Sequence, residues 1–361
     1  MKPEEQLQQL RTRIDELDNQ LQQLLNERAA CAQQVATVKR AAGEAVDFYR
    51  PEREAEILRR VRERNEGPLA DDELVRLFRE VMSACLALER PLTIAYLGPE
   101  GTFTQAAALK HFGHSVRTRA LDAIDTVFRE VEAGSAHYGV VPVENSTEGV
   151  VNHTLDMFLR SPLQICGEVD LRIHHHLLSP ADALEKVERV YAHQQALAQC
   201  REWLDSNLPR CERVALSSNA EAARRVCNEP GGAAIAGEAA AEIYGLPKLV
   251  ANIEDEPGNT TRFLVIGHQS VAPSGSDKTS LLVSVPNRPG ALYGLLEPFG
   301  RHAISMTRIE SRPSRRGIWE YVFFVDVIGH AQDPAVADAL KDIEQQASLL
   351  KVLGSYPRAA V

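Results

Sequence analysis

Nine positions near the start of the chain constrain it most. Leu7, Leu10, Ile14, Leu17, Leu21, Leu24, Cys31, Val35 and Val38 recur at alternating three- and four-residue intervals. That spacing places them on one stripe of a long helix that a second helix can cover. The expected helix covers residues 5 to 40, or ~50 Å at 1.5 Å per residue. One position of the stripe is a cation, Arg28. It either snorkels past its neighbours or faces an anion held in the seam. Lys39 lies eleven residues on, about three full turns, so the two cations share a face and could grip one small dianion. Arg11 is 17 residues from Arg28, hence ~25 Å away and rotated by about 100°. If it serves the same ligand, it must arrive from a second copy of the chain.

Two more helices are expected before residue 91: one from Pro51, a favourable first-turn residue, to Glu66, and one from Asp71 to Glu89. The pattern then changes. Residues 92–270 alternate β-like runs (Thr93–Tyr96, Gly139–Val143, Val190–Ala192, Phe263–Ile266) with Ala-rich helical stretches (Gln105–Phe112, Ala123–Ala133, Ala196–Leu204, Ala220–Val226), an α/β signature. Residues 271–277, rich in Ser, Gly and Pro, read as a linker. Beyond it the order βαββαβ is that of a ferredoxin-like α+β module. Three domains follow, at 1–91, 92–270 and 278–357, and 361 residues suffice for them.

Composition narrows the function. The net charge of −10 argues against nucleic acid as the partner. No run approaches the roughly 20 apolar residues of a membrane span, and the N-terminus lacks the apolar core of a signal peptide, so a cytoplasmic protein is expected. The six cysteines show no Cys-x-x-Cys spacing and read as core thiols. Walker, Gly-x-Gly-x-x-Gly, His-Glu-x-x-His and Gly-x-Ser-x-Gly strings are absent.

Three middle loops look alike: Gly98–Thr104, Glu144–Gly149 and Ser217–Ala220. Each follows a β-like run, precedes a helix, and offers hydroxyls, amides and backbone N–H groups. Each can be a plain helix cap or part of a site holding two carboxylates; Thr102, Asn145, Ser146 and Ser217 are the candidate ligand-binding side chains. His174, His175 and His176 tempt a metal reading, but adjacent strand residues point to opposite faces, so no metal is expected there, although one of them could face a cleft.

The helical segment resembles the all-helical chorismate mutase family. The resemblance rests on Arg11, Arg28, Lys39, the pair Arg53-Glu54 within Pro51-Glu52-Arg53-Glu54, and Cys85 and Glu89 on the third helix. It implies an intertwined dimer in which Arg11 crosses into the partner's site. The implied reaction is the Claisen rearrangement of chorismate to prephenate, which needs no proton transfer, metal or cofactor. Arg50 stands where the family often has an Asp that contacts a substrate hydroxyl. Cys85 and Glu89 stand where Ser and Gln can occur. A carboxylate beside a developing negative ether oxygen repels it, so Glu89 is expected to act protonated.

Tyr96-Leu97-Gly98-Pro99-Glu100-Gly101-Thr102-Phe103, Gly139-Val140-Val141-Pro142-Val143-Glu144-Asn145-Ser146 and Asn259-Thr260-Thr261-Arg262-Phe263 resemble prephenate dehydratase. That family implies a bilobed α/β fold like periplasmic binding proteins, with the site in the cleft and Thr261 essential for expelling hydroxide and carbon dioxide from prephenate to give phenylpyruvate. Asn145, Ser146 and Thr102 would orient the substrate. Arg262 is either a carboxylate partner or structural.

Asn287-Arg288-Pro289-Gly290-Ala291-Leu292 and Glu310-Ser311-Arg312-Pro313 resemble the motifs of the ACT domain of phenylalanine-regulated enzymes. They imply a carboxylate held at Asn287, Gly290, Ala291 and Leu292, an ammonium at Glu310 with Ser311 beside it, and feedback inhibition by phenylalanine. The whole chain thus resembles the bifunctional chorismate mutase/prephenate dehydratase family (P-proteins), a homodimer or higher homo-oligomer without metal or cofactor. A non-catalytic sensor of small acids is the competing reading; Arg11, Arg28, Lys39 and Thr261 together argue against it.

Overall fold

The structure, a computed structural model, describes residues 3–41, 49–286, 288–313 and 321–359. It divides into two compact units, Met1–Arg50 with Ile57–Leu92 and Phe112–Val116, and Pro51–Glu56 with Thr93–His111 and Arg117–Val361. No helix among the described residues is long and apolar enough to cross a membrane.

The helical N-terminal part consists of α1 (Pro3–Ala41), α2 (Pro51–Glu63), of which Pro51–Glu56 counts with the second unit, and α3 (Asp71–Glu89). Acidic residues open α1 and α3, and Lys39 and Arg40 close α1, each complementing the helix dipole. Leu58, Val75 and Met82 make a small core with Ile57 and Val61. The leucine stripe does not join it: Leu7, Leu10, Ile14, Leu17, Leu21 and Leu24 are 42–61% exposed.

The second unit has two α/β lobes and a C-terminal sheet. Lobe one uses β1 (Thr93–Leu97), α4 (Phe103–Phe112), β2 (Arg117–Leu121), α5 (Ile124–Glu132), β3 (Tyr138–Asn145), β4 (Gly149–Val150), α6 (Asn152–Phe158) and β5 (Gln164–Arg172). Lobe two uses β6 (His176–Leu178), β7 (Arg189–His193), α7 (Gln194–Gln199), α8 (Arg201–Asn207), β8 (Glu212–Leu216), α9 (Asn219–Val226), β9 (Gly232–Ala236), α10 (Glu238–Tyr244) and β10 (Lys248–Val250). The chain then returns to lobe one as β11 (Thr260–Gly267), giving sheet orders β2-β1-β3-β11-β5 and β10-β6-β9-β7-β8. The two crossings are tied together by Ile253 N–H donating to the His175 carbonyl at 2.7 Å and Ile173 N–H to that of Asn259 at 2.8 Å.

The C-terminal part is β12 (Asp277–Ser284), α11 (Ala291–Arg301), β13 (Met306–Pro313), β14 (Tyr321–Ile328), α12 (Pro334–Glu344) and β15 (Leu349–Pro357). Its antiparallel sheet has the order β13-β14-β12-β15. One face packs under the helices through Leu281, Val283, Val325, Leu295, Phe299 and Ile343. The other, with Leu282, Phe324, Leu353 and Tyr356, merges with the core of lobe one.

The segment read as a linker is ordered. The buried Asp277 carboxylate accepts from Ser274 N, Ser274 Oγ and Gly275 N, and His330 Nε2 donates to the Val271 carbonyl at 2.9 Å. Of the six thiols, only Cys85, Cys166 and Cys200 are buried; Cys31 and Cys227 are exposed, against the reading of all six as core.

β15 crosses β5 so closely that a Cβ at Gly354 would sit 2.2 Å from the Ile165 carbonyl oxygen and 2.8 Å from its nitrogen. Backbone cannot yield as a side-chain tip can. Gly354→Ala is therefore expected to destabilise the docked C-terminal sheet by about 1–3 kcal/mol or more. A denaturant unfolding curve superimposable on the wild type would contradict that close approach.

Candidate active sites

In the first unit, α1 and α3 bring a set of charges together. Arg28 and Lys39 are half-buried, and Arg40 Nη2 donates to the Glu89 carbonyl at 2.6 Å, closing the end of α3. Burial raises the pKa of the Glu89 carboxyl, against the opposing pull of Lys39, Arg40 and Arg28. Cys85, one turn earlier on α3, is buried on the same helix face. Arg40 was not singled out in the sequence; its signal was its place in the last turn of a helix beside Lys39. Arg11 is exposed far up α1. Arg53 and Glu54 occupy the first turn of α2, with Arg50 as its exposed N-cap.

In the second unit, the pairing of β3 with β11 sets Asn145 directly opposite Thr261. Asn145 Nδ2 donates to Thr261 Oγ1 at 2.8 Å and to Asn259 Oδ1 at 2.7 Å. Asn145 Oδ1 in turn accepts from the N–H groups of Thr147 and Glu148. The amide is fixed at both ends. Because Thr261 Oγ1 accepts from Asn145, its own proton is left to point at a ligand, and the hydroxyl is polarised as a donor. Ser146 and Thr260 exchange two bonds, N–H to carbonyl and N–H to Oγ, both 2.9 Å, pinning the two strand ends.

Lobe two reaches this pair through Gln199 at the end of α7. Its Oε1 accepts from Asn259 Nδ2 at 3.1 Å and lies 2.8 Å from His175 Nε2, while its Nε2 donates to Glu148 at 3.1 Å. His175 is 2% exposed, and burial lowers its pKa, so the ring is neutral and donates from Nε2 to Gln199. Burial raises the pKa of Glu148, opposed by His193 and Gln199. Asn259 and Gln199 escaped the sequence reading. Asn259 stood inside a quoted string, whereas nothing local marks Gln199.

A cavity of about 400 Å³ has a wall that includes Thr102, Phe103, Leu171, Arg172, His174 and Lys248. Leu171 is the strand partner of Thr261 on the other side of β11. His174 and His176 stack at 6.5 Å along this cavity, while His175 packs its ring edge-on to Phe103. Two of the three histidines thus face the cavity, rather than one.

Two of the three look-alike loops are helix caps. Thr102 Oγ1 donates to the Leu97 carbonyl and accepts from Gln105 N, and Gln105 Oε1 accepts from Gly101 N, so the side chains cap the start of α4. Ser218 caps α9, and the Glu221 carboxylate takes both the N–H and the hydroxyl of Ser217.

Residues 10–90 match the type II chorismate mutase family, 94–271 prephenate dehydratase and 279–345 the ACT domain. The bifunctional chorismate mutase/prephenate dehydratase of Stutzerimonas stutzeri is 60% identical over 366 residues, covering 100% of both chains. The chain belongs to the bifunctional chorismate mutase/prephenate dehydratase family. The counterpart from Pseudomonas aeruginosa is 59% identical over 365 residues, again 100% of each chain. The prephenate dehydratase of Arthrobacter aurescens, solved in complex with L-Phe, is 36% identical with a TM-score of 0.69, covering 75% of this chain and 92% of that one. Both enzymatic activities go with this membership, and so does the ACT module.

On the ACT module, a cavity of about 260 Å³ is lined by Val285, Arg288, Pro289, Gly290, Ala291 and Gly294, with Gln346 closing it through a 2.9 Å bond to the Gly294 carbonyl. Gly290 begins α11 in the left-handed conformation (φ 80°). Leu292 is exposed, and Asn287 lies outside the described residues. Glu310 and Ser311 follow each other on β13 and point to opposite faces. Glu310 shares its face with Arg308 and Arg312.

Arg262 points away from the Thr261 face. Its Nε, Nη1 and Nη2 bind Glu168 (2.9 Å), Asp326 (2.6 Å) and the Tyr356 hydroxyl (2.9 Å). Burial works against its charge, but these oxygens outweigh that and hold it firmly protonated. All three nitrogens are engaged by protein oxygens, the structural one of its two readings.

Proposed function

We propose that the two reactions run at separate places on the chain, on domains spanning 1–91, 92–270 and 278–357. The mutase site takes Arg28, Lys39, Cys85 and Glu89 from one chain and Arg11 from a second copy; Arg50, Arg53 and Glu54 are assigned to it by resemblance alone. The exposed leucine stripe of α1 supports that homodimer, because so long an apolar stripe is stable in water only when covered. Cations around chorismate hold its two carboxylates in the compact conformer, and a protonated Glu89 donates to the ether oxygen as its bond to carbon breaks.

At the dehydratase site, Thr261 donates its hydroxyl proton toward the departing ring oxygen of prephenate. The carboxylate leaves as carbon dioxide, its bonding electrons completing the aromatic ring, and the oxygen leaves as water once a proton has been supplied. Asn145 holds Thr261 for this donation; Ser146, Thr102, Ser217 and Arg262 complete the substrate-binding set by resemblance, although the contacts of Arg262 favour a structural part. The single observation carrying this reading is the Asn145–Thr261 bond at 2.8 Å. Phenylalanine binds the ACT module at Gly290, Ala291 and Leu292 with Asn287, Glu310 and Ser311, and inhibits the dehydratase. Six scattered cysteines without Cys-x-x-Cys spacing support a reducing, cytoplasmic setting.

The test is a coupled assay on the full chain, chorismate in and phenylpyruvate out, with and without phenylalanine. Accumulation of prephenate alone would defeat the dehydratase assignment. The mutase step also has a pH signature. Because burial raises the Glu89 pKa, the mutase rate is expected to fall as pH climbs through it, and Glu89→Gln to flatten that fall. A wild-type profile flat from about pH 5 to 9 would refute the protonated donor.

A further inference from the structure

The strand pair behind the dehydratase residues is gripped by the ACT sheet. Thr261 and Asn145 are partners across β11 and β3, and the next pair along is Arg262 with Glu144. Side chains alternate, so Thr261 and Asn145 occupy one face and Arg262 and Glu144 the other. On the ACT sheet, Arg308 of β13 and Asp326 of β14 are themselves cross-strand partners. The two pairs meet head-on. Arg262 Nη1 lies 2.6 Å from Asp326 Oδ2, and Arg308 Nε lies 3.0 Å from Glu144 Oε2. Four charges of alternating sign therefore close a square, Glu144, Arg262, Asp326 and Arg308, two from each domain.

The two edges differ. Arg262–Asp326 is a hydrogen-bonded pair braced by Glu168, Lys278, Ser280 and Tyr356. Arg308–Glu144 is an ion pair without a hydrogen bond's alignment, and among the described residues Arg308 Nη2 has no hydrogen-bond partner. One edge is a weld; the other has slack. Two residues along β13, on the same face as Arg308, come Glu310 and then Arg312, which holds Asp156 at 2.8 Å. A shift of β13 at the sensor motif thus reaches Glu144, and hence Asn145, through one strand.

We propose that the Arg308–Glu144 contact is the coupling element between the ACT sensor and dehydratase chemistry, with Glu144 a positioning residue for Asn145 and the Arg262–Asp326 pair its fixed pivot. This rests on the reading of the ACT module as a phenylalanine sensor. A ligand can change activity only by favouring one of two arrangements, and an unaligned ion pair next to an anchored one offers two. Tightening it draws the end of β3 toward β13, and the bonded Asn145–Thr261 pair moves with it.

The experiment is a double-mutant cycle in the full chain, Arg308→Gln, Glu144→Gln and both. It reads dehydratase kcat and KM, the phenylalanine concentration giving half inhibition, phenylalanine binding by calorimetry, and mutase rate as a check on folding. Each single change is expected to raise the half-inhibiting concentration about tenfold while phenylalanine still binds. The double variant should be no worse than either single one, since both remove one contact. Arg308→Lys, which keeps the charge, should stay within about threefold of wild type. Additive effects, inhibition unchanged in both singles, or loss of binding together with inhibition would each overturn the proposal. A wild-type enzyme indifferent to phenylalanine would overturn the sensor reading as well, and so separates the two failures.

Discussion

Thr261→Val lowers dehydratase turnover by about 10²–10⁴-fold and leaves chorismate mutase turnover at the wild-type rate. Valine keeps the shape and β-branching of threonine, so β11 keeps its register with Asn145 and Leu171. What goes is the oxygen that accepts from Asn145 and the proton it presents to the substrate. Thr261→Ser restores the hydroxyl on a looser side chain and should recover most of the loss. The deficit should lie in kcat, because a bond to a departing oxygen strengthens as that bond breaks. Separate mutase and dehydratase assays on one preparation decide it. If valine retained more than about a tenth of wild-type dehydratase turnover, proton donation by Thr261 would have to be abandoned.

Why that geometry was only partly legible can be argued residue by residue. Periodicity announced α1 and α3, because a helix writes its apolar face into spacing alone, whether or not that face is buried in a single chain, and the stripe of α1 is exposed. The dehydratase strings fixed which residues meet but not what holds them. Gln199 joins Asn259, His175 and Glu148 from the other lobe, and no local pattern records a partner 60 residues away. The expected helix Ala196–Leu204 breaks at Cys200 because Asp255 accepts from the N–H groups of Glu202 and Trp203 and starts a new helix there. That cap comes from a crossing segment, so the sequence around residue 200 carries no sign of it. β5 was missed for a related reason. Its Glu168, Asp170 and Arg172 do not resemble a sheet interior, and Glu168 is tolerated there only because Arg262 and Lys278 neutralise it. Arg262 shows the limit most plainly. A motif neighbour of Thr261 invites a shared role, yet strand alternation sends the two side chains to opposite faces.

Arg28→Ala is expected to cost the mutase about 10²–10³-fold in kcat/KM and the dehydratase nothing. The effect is large because the rearrangement offers no proton transfer or covalent step to share the burden. What the protein contributes is fixed positive charge around a dianion, and Arg28 supplies part of it from within an otherwise apolar stripe. The sharper form of the prediction mixes two inactive proteins. Arg11→Ala and Arg28→Ala chains, each nearly dead alone, are unfolded and refolded together. If Arg11 enters the partner's site, each mixed dimer has one site with both arginines intact and one with neither. Half of randomly paired dimers are mixed, and half of their sites are whole, so about a quarter of wild-type mutase activity returns. If both arginines serve the same chain's site, no pairing restores either one and the mixture stays dead. The helix geometry favours the first outcome. Residues 17 apart on α1, a helix unbroken from Pro3 to Ala41, are ~25 Å apart along the axis, beyond what two arginine side chains can bridge onto one small molecule.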